Sequence, residues 1–134
     1  MNRDFIEHYR GSSIAEEKLS NRLGLFWDTT VQDWDLINSN PNGIPDFLKV
    51  YGSLENDDEK FVLMQLIIAS FAANNSKKDF DLNLWKLCSI ILEKEHFLHI
   101  HTINYWFLRK EKGMQAFLSS LLKKVYEKVI YHYQ

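Results

Sequence analysis

Apolar residues recur along this chain every three to four positions, and no stretch shows the strict alternation of a half-buried strand. The pattern predicts an all-α fold. A first helix is expected from Ser13, because Ser13-x-x-Glu16 has the form of a capping box, with Leu19, Leu23, Phe26 and Trp27 on one face. A short helical turn over residues 30–37 would carry Trp34. The run 38–43 reads as a loop, since Asn and Gly tolerate positive φ and proline disfavours helix just before it. Pro45 then suits the start of a short helix that ends at Tyr51, with Gly52 as its stop.

Asn56 is placed to cap the next helix, with Glu59 completing a box and an acidic first turn at the positive end of the dipole. To about Asn74 that helix is apolar nearly all round, which predicts a position at the centre of the fold. Helix 82–94 shows only a narrow polar stripe of Asn83, Lys86, Ser89 and Glu93, so burial of most of its circumference is expected. An aromatic-rich helix over 97–108 follows. The last begins near Gly113 and is the cleanest amphipathic helix, with Leu118, Leu122, Val125 and Val129 opposite Lys123, Lys124 and Lys128.

Five to seven helices with short connections, at least two of them buried on several sides, do not suit a simple four-helix bundle. They predict an irregular layered array with stacked antiparallel helix pairs, although no helical-repeat period is present. A single helical domain over 1–134 is expected, with 1–12 as a mobile N-terminal segment. Composition agrees: the hydrophobic fraction is 46% and the aromatic fraction 14%, too rich for a disordered chain.

The longest apolar run, 61–73, is interrupted by Gln65 and Ser70 and is too short for a bilayer span, which needs about 20 residues. The first eight residues carry four ionisable groups and no apolar core follows, unlike a secretory signal. With Cys88 as the lone cysteine, a cytoplasmic protein is expected and no membrane partner.

Charge is uneven. Residues 1–60 carry 6 Lys/Arg and 12 Asp/Glu, whereas 109–134 carry 6 and 2, so the chain is acidic at its start and basic at its end. The stretch 23–48 has no Lys or Arg but holds Asp28, Asp33, Asp35 and Asp46, together with Trp27 and Trp34. Carboxylates interleaved with large rings suit recognition of a basic protein surface, where complementary potential speeds encounter. The plainer account is that the two tryptophans pack inward and the aspartates keep a loop hydrated.

Catalytic chemistry has little support. On an unbroken helix Glu93, His96 and His99 would be spaced i, i+3, i+6, but the second Glu-x-x-His of a di-iron site is missing. His99, Thr102, Tyr105 and Trp106 could line a pocket, though aromatic-rich strings are more often core. Cys88 falls on an apolar face, Gly52-Ser53 has no nucleophile-elbow context, and the glycines never cluster into a phosphate loop. Arg109, Lys110, Lys112, Lys123, Lys124 and Lys128 are close in sequence, but an overall pI near 6.2 disfavours nucleic acid.

The expectation is a non-catalytic helical module that binds a basic partner protein through Trp27, Asp28, Asp33, Trp34, Asp35 and Asp46. It needs no cofactor and no metal. A bacterial toxin-neutralising immunity protein is one concrete version, and a 12 to 4 excess of lysine over arginine with plentiful Asn and Ile points to an AT-rich genome. The rival is a small helical enzyme or ligand or metal carrier built on Glu93, His96 and His99.

Overall fold

A computed structural model describes residues 12–108 and 112–134. Regular structure among them is entirely helical: seven α-helices and two 3-10 turns, with no strand. The fold is all-α as the periodicity requires. The described residues fall into two compact units, 12–73 and 74–134. Residues 1–11 lie outside the described range, and with them all of the expected mobile segment except Ser12. Arg109 and Lys110 lie outside it too. No described helix is long and apolar enough to cross a membrane.

The unit formed by 12–73 is built on one buried helix. It contains α1 (Ser13–Leu23), α2 (Trp34–Asn38), a 3-10 turn (Pro41–Gly43), α3 (Ile44–Tyr51) and α4 (Asp57–Ala72). Asn56 Oδ1 accepts the Glu59 amide at 3.0 Å, so the expected cap of α4 is present. Every residue of 61–71 except Gln65 is buried, because α1, α2 and α3 all pack on this helix. Its one buried hydroxyl is used: Ser70 Oγ accepts the Asn40 amide at 3.0 Å. Arg22 Nη2 donates to Ser53 Oγ at 2.7 Å and ties the end of α1 to the α3–α4 connection.

Helix α1 departs from expectation at both ends. The cap is Ser12, whose Oγ accepts the Ala15 amide at 3.1 Å, and Ser13 is the first helical residue. Gly24 ends the helix in the left-handed region at φ +70, a conformation that disfavours other residues. Phe26 and Trp27 therefore lie beyond α1 and do not extend its apolar face. The second helix is shorter than predicted, because Asp33 at φ 53 stands immediately before Trp34. The 3-10 turn occupies the expected loop, and α3 starts at Ile44 with Pro45 in its first turn. A Cβ at Gly43 would come within 2.6 Å of the buried Phe47 ring, which would have to shift to admit it.

In the other unit, Asp81 Oδ1 accepts the Asn83 and Leu84 amides at 2.9 and 3.0 Å and starts α5 (Leu82–Lys94). Glu95, at φ −111 and ψ 34, breaks the chain before α6 (His96–Phe107). Then come α7 (Met114–Val129) and a 3-10 turn (Ile130–Tyr133). The start of α6 meets the C-terminal turn at His96 and Tyr133, while Ser119 Oγ near the start of α7 donates to Phe107 O at 2.7 Å. Helices α6 and α7 are thus an antiparallel pair. The α7 stripe of Leu118, Leu122, Val125 and Val129 is buried as predicted.

Burial of α5 is narrower than predicted. Trp85, Cys88 and Leu92 face inward, while Leu82, Leu87 and Ile90 are each more than half exposed. The periodicity counted apolar residues correctly, but among the described elements α5 packs chiefly on α6 and α7, with Trp85, Cys88 and Leu92 as its buried residues.

Candidate functional site

The acidic surface begins with Trp34, which sits in the core and does not face solvent. It is 2% exposed, and its Nε1 donates to the buried Ser20 Oγ at 2.7 Å. Its part is structural, since it locks a five-residue helix to α1. Asn38 completes the lock: its Oδ1 accepts the Phe26 amide at 2.9 Å, and its Nδ2 donates to Phe26 O and Trp34 O at 3.0 Å. The loop between the two helices is thereby pinned to the end of α2.

This arrangement brings carboxylates of α1 and α2 together. Burial raises the pKa of Asp35 above the ordinary carboxylate value, and the charge of Asp33 raises it further, against the lowering effect of backbone amides at Asp35 and Leu36. Burial also raises Glu16, helped by the charge of Asp35. No Lys or Arg among the described residues forms an ion pair with Glu16, Asp33 or Asp35. Beside them Leu36 and Ile37 are 50% and 55% exposed, and Phe26 is 53% exposed. The site is therefore crowded negative charge bordered by uncovered apolar side chains.

The remaining expected residues are placed differently. Asp28 is exposed and closes a local turn, its Oδ1 accepting from both the amide and the hydroxyl of Thr30 at 2.9 Å. Trp27 is half-buried, and its shielded indole N–H has no acceptor among the described residues. Asp46 is exposed in the first turn of α3, a separate element. No protein-family model, curated protein or solved structure matches this chain. The site must be read from its own chemistry.

Glu16, Leu36 and Ile37 were not among the expected site residues. Glu16 had a sufficient local explanation in the supposed capping box, and its proximity to Asp35 depends on how α1 and α2 pack. Asp33 carries a local mark of its own, a left-handed conformation that Asp and Asn adopt more readily than most residues.

The rival constellation is not assembled. The break at Glu95 removes the helical register that would align Glu93 with His96 and His99. Glu93 pairs with Lys128 at 3.7 Å, and His99 is fully buried in α6. Among the described residues no three His, Cys, Asp or Glu side chains are grouped as metal ligands would be. Leu98, His99, Thr102 and Trp106 are core, leaving Tyr105 half exposed. Burial pushes the Cys88 thiol far above its ordinary pKa, so it is no thiolate nucleophile.

His96 instead anchors the C-terminal turn. Its Nδ1 lies 2.7 Å from the Tyr133 hydroxyl, and its ring stacks on His132 with centroids 4.6 Å apart. Burial and the charge of His132 lower its pKa, so the unfolded chain holds the proton more tightly. The stabilisation is present above about pH 6.5 and is lost as pH falls from there toward the lowered folded value. Amide-exchange protection over residues 130–133 is expected to drop on acidification from pH 7.5 to about 5. Protection that stays constant would mean that the stacked histidines do not hold this turn.

Proposed function

We propose that this chain is a non-catalytic protein-binding module that captures a basic partner through the surface of α1 and α2. The observation that carries the reading is the crowding of Glu16, Asp33 and Asp35, none of them ion-paired to a described lysine or arginine, next to exposed Leu36 and Ile37. Like charges held together raise the free energy of the isolated protein, and lysine or arginine from a partner relieves it on contact. Apolar side chains bordering the charge supply area that only a partner can cover. A cytoplasmic bacterial immunity protein, which neutralises a toxin by covering its basic surface, is the form of this activity we favour.

The test is titration of the full chain with a basic amphipathic helical peptide of leucine and lysine, using an acidic leucine/glutamate peptide as control. Tight capture of the basic peptide, lost on changing Asp33 and Asp35, supports the reading. Equal affinity for both peptides contradicts it.

A further inference from the structure

Ten large apolar side chains are exposed among the described residues, and six of them fall on two surfaces. Phe26, Leu36 and Ile37 border the acidic surface of α1 and α2, whereas Leu82, Leu87 and Ile90 belong to α5. At about 100° per helical residue, Leu82, Asn83, Lys86, Leu87, Ile90 and Lys94 share one arc of about 140°, and all six are exposed. The buried Trp85, Cys88 and Leu92 occupy the opposite arc, so α5 turns a second apolar strip outward. That outward arc carries two lysines and no carboxylate. Neither lysine forms an ion pair with any described residue. Glu93, the one acid within α5, is half-buried and lies 3.7 Å from Lys128 Nζ, and Asp81 is engaged as the cap. One surface of this chain is thus acidic with uncovered apolar side chains, and another is basic with uncovered apolar side chains.

We propose that the outer face of α5 docks on the α1–α2 surface of a second copy of this chain, which rests on that surface being a receptor for basic helices. Charge complementarity selects the pairing. Two α5 faces would oppose their lysines, and two α1–α2 surfaces would oppose carboxylates that already repel one another. The contact therefore joins unlike faces. Each copy offers one of each, so association proceeds head to tail. A 13-residue helix is about 20 Å long, and its outer strip covers far less than the roughly 800 Å² per partner of a stable complex. Association is consequently weak, with a Kd on the order of 0.1 mM, and it falls further with salt. A tighter basic partner displaces the seated copy, so self-association and capture exclude each other.

Sedimentation velocity of the full chain at low salt provides the test. The wild type is expected to be monomeric at about 5 µM and heavier at about 0.5 mM, and to return to monomer when the leucine/lysine peptide is added in excess. Two double variants each remove one face. Asp33→Asn with Asp35→Lys disables the acidic surface, and Lys86→Glu with Leu87→Glu disables α5. Positions 86 and 87 are exposed and glutamate is a good helix former, so circular dichroism should be unchanged. Each double variant alone should stay monomeric at the higher concentration. Their equimolar mixture should form a 1:1 heterodimer and nothing larger, because only one intact face of each kind remains. Self-association that persists in either variant, or a mixture that stays monomeric, would overturn the inference. So would a wild type that is monomeric at both concentrations. If that wild type still captures the leucine/lysine peptide, the acidic surface stands without its self-partner, and if it does not, both readings fall.

Discussion

Trp34→Ala is expected to destabilise the 12–73 unit by about 3–5 kcal/mol, the usual cost of removing a fully buried large ring. The loss extends beyond area. The indole N–H donates to Ser20 Oγ, and both residues are 2% exposed, so truncation removes the shorter of the buried hydroxyl's two hydrogen bonds and leaves only its donation to Phe26 O at 3.4 Å. Helix α2 has only five residues and no side-chain cap, and an isolated helix that short does not form in water. Its order therefore derives from Trp34 and from the Asn38 clamp. A unit of this size has a total stability of roughly 3–9 kcal/mol, so the variant should be partly unfolded at 25 °C. Thermal denaturation followed by circular dichroism checks this. A melting temperature lowered by only a few degrees would mean that α2 is held by something else.

The second large effect concerns capture. Asp33→Asn combined with Asp35→Lys is expected to weaken binding of the leucine/lysine peptide about thirty- to a hundredfold at low salt, and by much less as salt screens the pairs. Asparagine is chosen at position 33 because it tolerates the left-handed backbone found there. Lysine at position 35 would face the Glu16 carboxylate, so the fold should survive the change. Affinity retained at low salt would remove the acidic surface from the account.

Much of this architecture is legible in single residues. Asn56 announces α4, the unbroken apolar character of 61–71 announces its central position, and Gly113 with the Leu118/Leu122/Val125 stripe announces α7. Gly24 is equally legible as a helix stop, and it sets Phe26 and Trp27 apart from the face of α1. Other features have no local signal. Whether Ser12 or Ser13 caps α1 is a choice between adjacent hydroxyls. The outward leucines of α5 look like core leucines until its neighbours are counted. The approach of Glu16 to Asp35 joins residues nineteen apart through the packing of Trp34 on Ser20, which periodicity cannot register.

Asp35→Asn, assayed for both stability and capture, tests most directly whether these carboxylates serve a partner or the fold. A carboxyl whose pKa is raised on folding destabilises the native state once ionised, above its unfolded value of about 3.9. The neutral amide should therefore raise the melting temperature at pH 7, confer little gain near pH 3, and weaken peptide capture. A melting temperature lowered at pH 7, together with undiminished capture, would contradict the account.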